Sequence, residues 1–201
     1  MFIQVIQGQV LDEAGLRGQF DRWRDELAPK AEGWLGTTAG LPVQGGFIAV
    51  FRFESEDAAR RNSELAAQDQ WWTDTAQSLD EVSFHDCRNV DLILGDGGSD
   101  EAGFVQVIQG RTPDPERLRK IGEQLEAPIR AARPEIVGGT VAWHDDGAGF
   151  TQTVYFSSEA EARAGERRDP PDDVRALFEE SQRLVDAPRY FDLPDPWLWS
   201  R

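Results

Sequence analysis

Few side chains in this sequence could do chemistry: two histidines, one cysteine, and some amides, arginine and tryptophan set among apolar neighbours. His85 alternates with Ser83 and Cys87, so these three share one face of a strand, while Phe84 and Asp86 share the other. A His and a Cys two apart on a strand are too distant for a tight nucleophile–base contact, and no third group orients them. Cys87 reads as a small buried residue. His144 is followed by Asp145 and Asp146 in a segment that reads as a turn, where acids are ordinarily solvated. Two lone imidazoles do not make a metal site, so no metal is expected.

Trp72 falls on the apolar line Ala58, Leu65, Trp72 and Leu79, which assigns it to packing. Trp71 then points about 100° away. An exposed Trp beside a core Trp closes a pocket or anchors an interface. Gln4 and Gln7, with Gln106 and Gln109, are polar groups on strands that read as buried. Each buried amide needs a partner, which can be another such amide, water, or a ligand carbonyl or phenol. Arg52 alternates into the Ile48/Val50 face; buried, it needs an acid or an anionic ligand, and at a strand end water suffices. The pocket candidates are therefore Gln4, Gln7, Arg52, Trp71, Trp72 and His85, none with an assigned catalytic role.

The elements that must position these groups occur twice. Phe2-Ile3-Gln4-Val5-Ile6-Gln7-Gly8 returns as Phe104-Val105-Gln106-Val107-Ile108-Gln109-Gly110, with one conservative change. Each copy reads as a two-sided buried strand ended by Gly. A helix opening at Asp12, and again at Asp114, carries Leu16, Phe20, Trp23 and Leu27, echoed by Leu118, Gly122, Leu125 and Ile129 at the same 102-residue offset. A hairpin follows, Trp34 to Ala39 with Phe47 to Phe53, and Ile136 to His144 with Phe150 to Phe156 across Asp146-Gly147. Ser55 and Ser158 cap the second helices, the later one broken by Pro170-Pro171. Val82 to Val90 and Arg189 to Asp192 read as fourth strands, and Trp197-Leu198-Trp199 as an aromatic tail. The prediction is α+β: two ferredoxin-like β-α-β-β-α-β repeats. Residues 1–95 form the first, 96–102 a linker and 103–201 a second, more degenerate one.

This order, duplication and late-helix aromatics resemble the dimeric α+β barrel superfamily, and more narrowly the antibiotic-biosynthesis-monooxygenase-like domains. The resemblance spans the chain as a pattern, without a diagnostic catalytic motif. It implies an intramolecular barrel formed by two bare sheet faces, and a pocket for a small aromatic or polyketide-type molecule oxidised without a cofactor. It implies equally a non-catalytic ligand-binding or stress-associated protein, since fold does not dictate function. The haem-degrading relatives use an Asn near the end of the first strand, a Trp on the second helix and a His beyond it. Gln7 and Gln109 stand near the Asn position and Trp71 or Trp72 could be the Trp, but no His lies in 56–79 or 159–185. No cofactor is expected. Because the second copy has Asp173 at the Trp71 offset, at most one working pocket is expected, in the first repeat. Convergence of Gln7, Arg52 and Trp71 on a cavity of about 300 Å³ or more would favour the oxygenase. A filled interior rules it out.

Composition sets the remaining bounds. Hydrophobic residues make up 39% of the chain, with seven Trp and eleven Phe, enough for a core. The net charge of −16 repels nucleic-acid phosphates and anionic lipid. No stretch has the length of a membrane span, and the single Cys87 has no disulfide partner, which together point to the cytoplasm. The expected partner set is a small aromatic ligand and the internal pseudo-dimer, with a further homodimer left open.

Overall fold

A computed structural model of the chain describes residues 1–201 apart from Asp96, Pro171 and Asp173. Its strands are β1 (Phe2–Val10), β2 (Trp34–Gly40), β3 (Phe47–Phe53), β4 (Leu79–Cys87), β5 (Asn89–Leu94), β6 (Phe104–Arg111), β7 (Ile136–Trp143), β8 (Gly149–Phe156), β9 (Asp186–Leu193) and β10 (Trp197–Ser200). They form two antiparallel five-stranded sheets, ordered β10-β2-β3-β1-β4 and β5-β7-β8-β6-β9. The two repeated strands, β1 and β6, hold the same place in their sheets. The fold is mixed α+β, with two separate sheets rather than one closed barrel.

One strand in each sheet comes from the other half of the chain. The expected fourth strand, Val82 to Val90, is in fact two: β4 stays on the first sheet, and one residue later β5 pairs with β7 of the second. The aromatic tail reciprocates as β10, which pairs with β2. The sheets meet through Ile3, Val5, Ile48 and Val50 on one side and Val105, Val107, Tyr155, Phe191 and Leu193 on the other, a filled apolar interior. β1 is buried on both sides, as expected: Ile3 and Val5 face the other sheet, while Phe2 and Ile6 face helices.

The helices are α1 (Glu13–Arg22), α2 (Glu56–Ser63), α3 (Ala66–Ala76), α4 (Pro115–Ala132), α5 (Glu159–Glu166) and α6 (Arg175–Leu184). Asp12 and Asp114 accept the Gly15 and Arg117 amides at 3.0 and 2.9 Å, capping α1 and α4. Past Arg22 the chain winds through a π turn at Trp23–Leu27 and a 3-10 turn at Ala28–Lys30. The second helix of the first repeat is interrupted at Glu64–Leu65, where Leu65 is an exposed cap of α3. That break resets the helical phase and turns Trp71 and Thr75, rather than Trp72, toward the sheet. In the second copy α5 and α6 are separate as Pro predicts, although Pro171 and the Trp71 counterpart Asp173 lie outside the described residues, as does Asp96 of the expected linker.

Candidate functional site

Cross-strand partners share a face, so register locates each side chain. Gln7 lies beside Ile3 and Val5 on the face between the sheets, and its Oε1 accepts from Gln109 Nε2 at 3.0 Å. The same amide group also donates to Thr151 Oγ1 at 3.1 Å. Gln4 faces the other way and donates to Asp86 Oδ1 at 2.9 Å. Arg52, opposite Ile3, is 5% exposed and lies on the inter-sheet face. It runs so close to Gly36 and Gly98 that a Cβ on either would sit 2.1 and 2.3 Å from the guanidinium, so a side chain at either would displace Arg52. Arg52 has no carboxylate within ion-pair distance among the described residues, and its Nε has no hydrogen-bond partner. His85, opposite Val5, stacks on His144 with ring centres 4.2 Å apart and planes 8° from parallel. In-plane lone pairs of parallel rings do not converge on one ion. Burial, then the neighbouring His85, pushes His144 down to about 4, while its Nε2 lies 2.8 Å from Thr151 Oγ1. Cys87 is buried, and burial followed by the charges of Asp86 and Asp146 pushes its thiol up to about 12.

The two tryptophans exchange their expected roles. Trp71 is 1% exposed, and its indole N–H donates to the Gln19 carbonyl at 2.7 Å. Its ring lies among Phe20, Trp23 and Phe51 at 5.5, 6.2 and 6.4 Å. Trp72 is the half-buried one and packs edge-on to exposed Phe84. The expected exposed Trp71 is therefore corrected to a core residue. Gln7 and Arg52 sit on the opposite face of the sheet from it, so the three do not converge. The space beside Trp71 is packed, and so is the interior between the sheets. An oxygenase pocket built on Trp71 is excluded on the criterion set above. Two openings lie elsewhere: a 710 Å³ groove along Arg24, Lys30, Trp34, Trp199 and Arg201, and a 230 Å³ hollow over His85 and His144.

The helix-facing sides of the two sheets differ sharply. On the first sheet the row Trp197, Ala39, Ala49 and Ile6 crosses four strands in register. Ala39 and Ala49 are 0% exposed and Ile6 is 3% exposed. Phe20 and Phe47 lie over this row with Trp197, and one continuous cluster joins α1, α2 and α3 to the sheet. Six of the seven tryptophans belong to that cluster or pack against it.

The matching row of the second sheet reads Asp91, Val141, Gln152, Ile108 and Tyr190 across β5, β7, β8, β6 and β9. Val141, Gln152 and Ile108 are all half-buried although they sit mid-sheet, and Tyr190 is exposed. Here the apolar layer is split. Phe104, Val154, Phe156 and Ala162 pack under α5, whereas Ile121, Leu125 and Val174 join α4 to α6. Val141 and Ile108 belong to neither cluster. Two sequence differences accompany this: exposed Gly122 stands at the Phe20 offset, while Ile121 and Leu125 are the buried residues of α4, and Asp91 stands at the Trp197 place in the row. The middle of this row thus keeps partial solvent exposure on the side of the second sheet where α4 and α6 pack on each other.

Polar groups lie at and near the row. At its β5 end Asp91 Oδ2 accepts from Arg119 Nε and Trp143 Nε1, each at 2.6 Å, tying α4 to the sheet. Arg117 and Glu180 lock α4 to α6 through two 2.7 Å hydrogen bonds. Two residues beyond Tyr190 on β9, toward α5, Asp192 is buried beside Gln106, which donates to its Oδ1 at 2.8 Å. Burial alone raises the Asp192 carboxyl, but hydrogen bonds from Gln106, Arg163 and Gln44 outweigh it and hold the group low. Gln44 comes from the β2–β3 turn, where Gly45 and Gly46 adopt φ of 93° and 80°. That turn also places Val43 N–H 3.0 Å from the Asp192 carbonyl. Sequence reading missed Asp91, Gln152, Arg119 and Trp143. The available signal was loss of bulk, Phe20 to Gly122, which the surviving stripe concealed.

No family model matches the sequence, and no curated protein does. Solved structures do match. A provisionally named monooxygenase from Lactobacillus acidophilus NCFM superposes with a TM-score of 0.76 at 11% identity, over 99% of this chain and 95% of that one. One of the same description from Fusobacterium nucleatum gives 0.78 at 9% identity, over 100% and 94%. An anthrone oxidase-like protein gives 0.65 at 12%, over 98% and 92%. At such identities the likeness is one of architecture alone: this chain shares the two-sheet α+β fold of those structures.

Proposed function

We propose that this protein binds a small aromatic molecule in the cleft between the second sheet and the α4/α6 pair. One observation carries this: the row Val141–Gln152–Ile108 is open to solvent while its counterpart Ala39–Ala49–Ile6 is sealed. Apolar walls with a few fixed polar groups are the usual make-up of a small-molecule site. Val141 and Ile108 offer a flat apolar floor, and the Gln152 amide has no side-chain hydrogen bond among the described residues. A planar ring carrying one or two polar substituents fits that lining. The first sheet and its sealed aromatic layer then serve as the rigid partner.

Titration of the full chain with 2-naphthol, followed by ligand fluorescence, tests the binding. Saturable binding that Gln152→Trp abolishes and Ala49→Ser leaves alone is expected. Absence of binding to the wild type, or binding indifferent to Gln152→Trp, would sink the proposal. Oxygen uptake in the same mixture, measured with an electrode, should stay at the background rate.

A further inference from the structure

The accessible row ends on a carboxylate that is fixed on one side and free on the other. Asp91 belongs to β5, the strand that crosses from the first half of the chain into the second sheet. Its Oδ2 takes both the Arg119 Nε–H and the Trp143 Nε1–H at 2.6 Å, and the Arg119 guanidinium lies over the Trp143 ring at 4.8 Å. Three groups therefore hold one another in place, and the carboxylate cannot swing freely. Its Oδ1 accepts no hydrogen bond among the described residues, and the side chain is 40% exposed. Val141, the next residue along the row, is half-buried floor.

Resting on the cleft reading above, we infer that Asp91 is the specificity-determining residue of the site. It selects rings that present a hydroxyl over isosteres that present an ether. A hydroxyl donates to Oδ1 in a charge-assisted hydrogen bond. An ether oxygen in the same place displaces water from the carboxylate and returns nothing, which is the situation in which polar sites reject most strongly. Arg119 already offsets the Asp91 charge, so the preferred donor is neutral rather than cationic. Sequence pattern alone could not nominate Asp91, because its partners lie 28 and 52 residues away.

The test compares 2-naphthol with 2-methoxynaphthalene, which share a ring and differ in the donor. The wild-type chain is expected to prefer the naphthol by about tenfold or more, the scale of one hydrogen bond to a charged group. Asp91→Asn keeps a carbonyl for Arg119 and Trp143 and turns an amide N–H toward the ligand, which an ether satisfies as well as a hydroxyl. That variant should bring the two affinities within about twofold of each other, with 2-methoxynaphthalene bound at least as well as before. Asp91→Ala, checked for folding by circular dichroism, should likewise lose the preference. A preference that persists in both variants, or a wild type that binds the two compounds equally, overturns the assignment. If neither compound binds the wild type, it is the cleft reading that has failed.

Discussion

Replacing Trp71 with Ala separates a packed tryptophan from a pocket tryptophan. The ring is 1% exposed and is surrounded by four aromatic side chains, Phe20, Trp23, Phe51 and Trp72. Truncating a buried Phe or Trp costs about 3–5 kcal/mol through lost transfer energy and the cavity left behind. The 2.7 Å bond to the Gln19 carbonyl, which keeps the Trp23 backbone N–H as a partner, adds no more than about 1 kcal/mol. A chain of this size loses about 2–4 °C of Tm per kcal/mol, so a fall of roughly 10–20 °C is expected in a thermal melt. Trp72→Ala, at a half-buried site on the outer flank, should cost no more than about 1–2 kcal/mol by the same reasoning. If Trp71→Ala proves too unstable to purify, Trp71→Phe retains most of the volume and should still melt several degrees low. A Trp71→Ala melt within about 1 kcal/mol of wild type, or a larger loss from Trp72→Ala, would refute the assignment of Trp71 to the core.

Two further predictions follow from perturbed ionisation. His144 is held at about 4 by burial and by His85, below the ordinary value of about 6.5 that it recovers on unfolding. Between those values the unfolded chain binds the proton and the folded one does not, so stability present above pH 6.5 declines as pH falls toward 4. Urea melts from pH 7 to pH 5 should show that decline, about 1–2 kcal/mol after allowance for solvent screening, and His144→Asn should flatten it. An unchanged slope in the variant would place the acid sensitivity elsewhere. Cys87, with its thiol near 12, should resist iodoacetamide at pH 8 in the folded protein and react fully in urea. Rapid labelling of the native chain would contradict its burial.

Much of the architecture could be read in the sequence because local signals agreed with one another. The repeated Phe-Ile-Gln-Val-Ile-Gln-Gly run, the caps at Asp12, Asp114, Ser55 and Ser158, and the two hairpins all became the expected elements. The exchange of β5 and β10 between sheets was not legible, since strand pattern says nothing about which partner a strand finds. The roles of Trp71 and Trp72 were reversed because one uninterrupted helical phase was assumed through Leu65, where the chain breaks. Clustered aromatic residues in a sequence suggest a pocket, but in the structure those rings fill space, and the partly open row lies in the second sheet, where Asp91 takes the Trp197 place. A periodic stripe records that a position faces inward, but not whether the residues there add up to the volume available.

The reciprocal exchange of strands also has a consequence during synthesis. The first sheet is complete only when β10 covers the free edge of β2 and Trp197 settles over Phe20. Yet β10 follows β4 by roughly a hundred residues, which at about 5–20 residues per second delays it by about 5–20 s. Through that interval the aromatic layer of the first half lacks its cover and β2 offers an unpaired edge. The half that is most densely packed when finished is therefore the one that waits longest on the ribosome to be sealed.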